Sequence, residues 1–206
     1  MTGFGTLTSH LPALRSALGE LERHEPVLDG WARQLAEVFR GGGRLLVAGN
    51  GGSAAQAQHL TAELVGRFET GRDPLSAIAL HAETSSLTAI ANDFGAEELF
   101  ARQVRAHGRP GDVLLLLSTS GRSPNLLRAA ERGSCGGLRV WALTGPPPNP
   151  LAGTAAAAVA IGCDCPTVVQ ELHLVVVHAL CAEVERRLAA APVPPSAGRL
   201  PALEVR

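Results

Sequence analysis

The 206-residue chain contains no lysine; all 18 of its basic residues are arginine. That excludes a Schiff-base lysine or a P-loop lysine as the chemical centre. A phosphate bound here must be held by N–H groups, hydroxyls or arginine. Tyrosine is also absent, so no phenol serves as acid or base. Net charge is scarce: the formal value of −1 gives no electrostatic case for nucleic acid or an anionic membrane. No apolar run approaches the ~20 residues of a membrane span. The start, Met-Thr-Gly-Phe-Gly-Thr-Leu, lacks the basic and apolar regions of a signal peptide. A cytoplasmic protein is the expectation. Cysteine is sparse as well. Cys135, Cys163, Cys165 and Cys181 show no metal-finger spacing, and reduced thiols are the default in the cytosol. Cys163-Asp164-Cys165 is the one metal hint among them.

What the chain does have is alternation. Residues 7–40 predict two helices split near Glu25-Pro26, with stripes Leu11, Leu14, Leu18, Leu21 and Leu28, Trp31, Leu35, Val38. Gly41-Gly42-Gly43 ends the second. Apolar strands are expected at 44–48, 75–80, 113–117, 138–143 and 156–161. Helices are expected at 53–68, 84–91, 95–107, 123–133 and 167–190, and 144–155 reads as a Gly/Pro loop. Continuous apolar strands separated by helices imply a five-stranded parallel sheet covered on both faces. The expected organisation is an N-terminal helical extension over 1–43, an α/β domain over 44–190 and a Pro-rich, unstructured tail over 191–206. There are no repeats.

The stretch Leu45–Arg67, LLVAGNGGSAAQAQHLTAELVGR, organises the rest. A short strand enters Gly49-Asn50-Gly51-Gly52, where positive φ and close backbone approach are allowed. Ser53 falls where a helix N-cap belongs. A strand, a glycine turn and a helix N-terminus form an anion site. His59 and Glu63 then share one helix face. Such a pair can be an ordinary solvated face, two ligands of one metal, or a ligand beside a base.

A second loop, Ser118-Thr119-Ser120-Gly121-Arg122-Ser123, clusters hydroxyls between an apolar strand and a helix N-terminus. It suits a phosphate monoester, though an ordinary N-capped loop has the same composition. Asn92-Asp93 alone reads as a polar turn before Gly95. In the last helix, Thr167 with Gln170 matches a capping box. His173 and His178 point to different faces, and the apolar run around His178, VVVHAL, is normally core. A buried histidine there needs a polar partner.

Jointly, GNGGSAAQAQHLTAELVGRF, AIANDFG, STSGRSPN, LTG and QELHLVVVH resemble the phosphoheptose isomerases of the sugar isomerase (SIS) family, over roughly residues 5–188. The resemblance implies a SIS-type three-layer α/β sandwich and isomerisation of sedoheptulose 7-phosphate. It implies Glu63 and His178 as the acid–base pair, and zinc on His59, Glu63, Gln170 and His178. It implies substrate contacts at Asn50, Gly51, Gly52, Ser53, Glu63, Asn92, Asp93, Ser118, Thr119, Ser120, Ser123 and Gln170, and a homotetramer with sites at subunit contacts. The family commonly has a basic residue two before Gln170; here it is Val168.

A non-catalytic branch of the family binds the bacterial replication initiator and lacks the glutamate and the last histidine. Glu63 and His178 therefore favour an enzyme over a sugar-phosphate- or protein-binding module. Gln170 and His178 are eight residues apart, ~12 Å along a helix. If both hold one ion, two subunits supply them or the helix is irregular near Gln170.

Overall fold

The computed structural model describes residues 6–190. The expected Pro-rich tail, 191–206, lies outside the described residues. The first helices are α1 (Leu7–Leu21) and α2 (Glu25–Arg40), joined by a turn of 3-10 helix at Glu22–His24. Next come β1 (Leu45–Gly49), α3 (Gly52–Val65), β2 (Ala77–Ala79), α4 (Thr84–Phe94), α5 (Ala101–His107), β3 (Val113–Ser118) and α6 (Pro124–Cys135). The described chain ends in β4 (Arg139–Thr144), α7 (Pro150–Thr154), β5 (Ala157–Ala160) and α8 (Pro166–Ala190). The helix α7 lies inside the expected Gly/Pro loop; Asn149 caps it by accepting from the Ala152 N–H at 2.9 Å.

All five strands are parallel, in the order β2-β1-β3-β4-β5. Alternate residues along each strand feed two separate cores. Val47, Leu115, Leu117, Trp141 and Leu143 pack against α2, α3 and α8; Leu46, Leu114, Leu116, Val140 and Ala142 pack against α5, α6 and α7. This is the three-layer α/β sandwich that the apolar strands imply.

Trp31 of α2 stacks on Trp141 of β4 with ring centroids 4.8 Å apart, tying the N-terminal helices to the sheet. Val168 is fully buried in the α8 core. A basic side chain there would lose its hydration, so this backbone favours the valine. By length and composition α8 could cross a membrane, contrary to the reading of its sequence. Half of it is buried inside the protein, against α2 and α3 among others, and it carries buried His173 and Glu185. It is the central helix of the fold.

Candidate active site

Because β1 and β3 are paired, the glycine turn and the serine loop leave adjacent strand ends together. Gly51, with φ of 55°, is the N-cap of α3. Ser53 is therefore not the cap; it lies one residue inside the helix and is buried. A Cβ on Gly52 would sit 1.7 Å from Nε2 of Gln170, so any side chain there would displace the end of that glutamine. The Gln170 side chain thus lies on the start of α3 and forms no capping box. Thr167 is already within α8, and its hydroxyl meets Cys165 Sγ at 3.1 Å.

In the serine loop, Ser118 Oγ accepts from the Gly121 N–H at 3.0 Å and Ser120 Oγ from the Arg122 N–H at 3.3 Å. Each hydroxyl keeps its own hydrogen to donate to a ligand. Ser123 is the N-cap of α6, yet its side chain makes no capping bond. A reciprocal amide pair, Asn50 with Asn125, clamps the two loops at 3.0 and 2.9 Å. The positive ends of α3 and α6 are thereby held beside each other, an arrangement suited to a dianionic phosphate.

Further along α3 is a second cluster. His59 Nε2 lies 3.0 Å from His178 Nε2 on α8 and 3.4 Å from Glu63 Oε1. The three residues therefore meet within one chain, Glu63 and His178 flanking the same nitrogen. The cluster is seven residues from the glycine turn, ~10 Å along the helix. His178 is half-buried and His173 is the fully buried one, the reverse of what the VVVHAL run suggests. His173 Nε2 bonds the Thr144 carbonyl at 3.3 Å, and its burial lowers its pKa to about 4.

Gln170 stays at the start of α3, against Gly52 and Gln56. Since α8 is unbroken from Pro166 to Ala190, no irregularity brings Gln170 to His178. Thr119 lies partly open within the serine loop, its carbonyl against Gly145. Asn92 and Asp93 end α4, where Asn92 Nδ2 donates to Asp93 Oδ1 at 2.8 Å and both are exposed. Neither is joined to the clusters above among the described residues. The weak Cys163-Asp-Cys165 signal comes to nothing structural: among the described residues, no group of three His, Cys, Asp or Glu side chains is arranged to hold a metal.

The SIS domain model matches residues 10–145. A phosphoheptose isomerase from Streptomyces coelicolor is 57% identical over 188 residues, 91% of this chain and 81% of that protein. The chain belongs to the phosphoheptose isomerase family. A second family member, from Geobacter sp. strain M21, is 42% identical over 182 residues, 88% of this chain and 93% of its own length. The structure of a phosphoheptose isomerase from Francisella tularensis superposes with a TM-score of 0.83 at 34% identity, covering 87% of this chain and 96% of that one.

Sequence reasoning missed several residues that shape this phosphoheptose isomerase fold around the site. Asn125 and Gln56 are two; Gln56 Nε2 donates to the Gln170 carbonyl at 2.5 Å, joining α3 to α8. A polar residue on the buried face of each helix was the available signal. Another is Glu185. Burial alone would raise its carboxyl pKa, but backbone N–H and hydroxyl donors outweigh that and hold it at about 2.

These shifts predict acid sensitivity. The unfolded chain protonates His173 near pH 6.5 and the native protein only near 4, so stability is lost as pH falls through that window. Glu185 is the same in sign: its contribution is present above the ordinary carboxylate range and is lost as pH falls towards 2. Urea midpoints measured from pH 7 to pH 4 are expected to fall by an amount equivalent to about 3 kcal/mol for His173 alone. His173→Leu should flatten that slope; an unchanged slope in the variant would assign it elsewhere.

Proposed function

We propose that this chain interconverts sedoheptulose 7-phosphate and D-glycero-D-manno-heptose 7-phosphate as an aldose–ketose isomerase. The carrying observation is the meeting of Glu63 and His178 about His59, one short helix segment from the clamped phosphate loops. A seven-carbon sugar, with C–C bonds of about 1.5 Å, is long enough to span the two. Its phosphate lies against the Gly51–Gly52 turn and the hydroxyls of Ser118, Thr119, Ser120 and Ser123. Asn50 and Gln170 line the same end; Asn92 and Asp93, joined to neither cluster among the described residues, are proposed as contacts on the family resemblance alone.

The chemistry is two proton transfers. A base removes a C1 proton from the ketose while O2 gains a proton, which gives the enediol. The O1 proton then leaves and C2 gains a proton, which gives the aldose. Nothing is oxidised overall. Glu63 and His178 divide these steps, and bonds formed only to the developing oxyanion accelerate them. Binding energy from the remote phosphate orients the reacting carbons.

We further propose zinc on His59, Glu63 and His178. His59 Nε2 lies 3.0 Å from His178 Nε2 and 3.4 Å from Glu63 Oε1, so the donor types of a zinc site are neighbours, although among the described residues no three such side chains are arranged to hold an ion within one chain. Gln170, at the start of the same helix as His178, would join these donors only from a second copy. When bound, the ion would polarise the carbonyl. A homotetramer in the cytoplasm is the assembly proposed. Two surfaces support self-association: α4 buries no residue, and α1 exposes Leu7, Leu11 and Leu18.

The test is incubation with sedoheptulose 7-phosphate and detection of the aldose. Turnover supports the reading; binding without turnover favours the non-catalytic module. Chelation that removes activity, with return on adding zinc, supports the metal. Full turnover with no metal bound rejects it. Dilution to monomer without loss of turnover counts against a site shared between subunits.

A further inference from the structure

We propose that Arg72 and Glu185 are positioning residues that hold both members of the acid–base pair, a proposal that rests on the isomerase reading above. The helix α3 ends at Val65 with no basic residue in its last turn. The carbonyls of that turn need partners, and the dipole there favours a cation. Gly66 supplies one, its N–H bonding the Ala62 carbonyl at 2.8 Å. Arg72 supplies the next two from a loop seven residues beyond the helix. Its Nη2 donates to the Glu63 carbonyl and its Nη1 to the Leu64 carbonyl, both at 2.8 Å. The peptide that carries Glu63 is therefore fixed by a guanidinium.

Glu185 fixes that guanidinium. It sits on α8, seven residues past His178 and so on nearly the same face. Its Oε1 accepts from Arg72 Nε at 2.9 Å and from the Phe68 N–H at 3.1 Å. Its Oε2 accepts from the Glu69 N–H at 3.3 Å, the Thr70 N–H at 3.0 Å and the Thr70 hydroxyl at 2.9 Å. The Arg72 and Glu185 side chains are only 12% and 5% exposed. Phe68, pinned by its N–H, lays its ring 5.9 Å from the His178 imidazole.

One carboxylate thus reaches Glu63 through Arg72 and His178 through Phe68. An ion pair serving the fold alone could stand anywhere along the two helices. This one ends on the two residues between which the protons move. A buried pair of this kind is also weak evidence for stability by itself, since desolvation offsets most of its attraction. Its geometric consequence is the stronger one, because a misplacement near 1 Å can cost about 10²-fold in rate.

The experiment uses the full chain with Arg72→Lys, Glu185→Gln and the milder Thr70→Val, which removes one hydroxyl donor. Rates are normalised to folded protein by circular dichroism. For the first two, kcat is expected to fall on the order of 10- to 100-fold with KM within about threefold. In a Glu63→Gln background Arg72→Lys should cost nothing further, because it acts through Glu63. The His178 Cε1 proton resonance should shift in Glu185→Gln as the Phe68 ring moves. A lowered melting temperature with unchanged kcat per folded molecule and an unmoved resonance would overturn the proposal. If Arg72→Lys or Glu185→Gln does not fold, Thr70→Val decides: a severalfold fall in kcat at constant KM supports it, and wild-type kcat rejects it. Absent wild-type turnover instead rejects the isomerase reading, and the resonance still reports on positioning.

Discussion

Glu63→Gln is expected to lower kcat by about 10²- to 10⁴-fold, the range that a positioned general acid or base supplies. The amide matches the carboxylate in shape, so α3 and its packing on α8 persist. The contact with His59, 3.4 Å in the native protein, can also remain. What is lost is a group that accepts and returns a proton. KM should stay near the wild-type value, because the loops proposed to hold the phosphate lie at the other end of α3. Steady-state kinetics with sedoheptulose 7-phosphate, alongside a measurement of bound metal, would check this. A kcat within tenfold of wild type would remove Glu63 from the chemistry.

Gly145→Ala should do the opposite. Gly145 follows β4, whose last residue, Thr144, is in register with Ser118 of β3. A Cβ on Gly145 would lie 2.1 Å from the Thr119 carbonyl oxygen and 3.2 Å from its carbon. Both are backbone atoms, so no rotamer change relieves the clash. The serine loop has to move, and with it the hydroxyls offered to phosphate. KM is expected to rise by on the order of 10- to 100-fold, the effect of losing roughly 1.4–2.7 kcal/mol of binding. Stability should fall by about 1–3 kcal/mol, as for other overpacked sites. Substrate titration and urea unfolding would show it; wild-type KM in a folded variant would mean that the loop does not hold the phosphate. The two substitutions separate the ends of the site, one through turnover and the other through affinity.

The sheet was legible in the sequence because continuous apolar runs have few other uses. Leu114–Leu117 could only be a strand buried on both faces, and that is where they lie. The short helix at Pro150–Thr154 was not legible, because Gly and Pro around it read as punctuation and mask the cap at Asn149. The glycine turn lies where its residues put it, but the cap falls on Gly51 instead of Ser53. Residue type favours serine; the positive φ of 55° at the cap position decides for glycine. His173 and His178 were harder still. Both sit among valines and leucines, and only the packing of α8 shows which faces solvent. The partners of Glu185 lie 113 to 117 residues away, beyond the reach of any local pattern.

Along α8, Gln170, His173, His178 and Glu185 are spaced on one rod, each meeting a different part of the protein. Each added residue turns the remainder of the rod by roughly 100° and advances it about 1.5 Å. An insertion or deletion between positions 170 and 185 would therefore set the proposed phosphate grip against the proposed proton transfer, since both could not stay aligned. Length variation in this protein should be confined to its loops and its two ends, while the count of residues in this one segment stays constant.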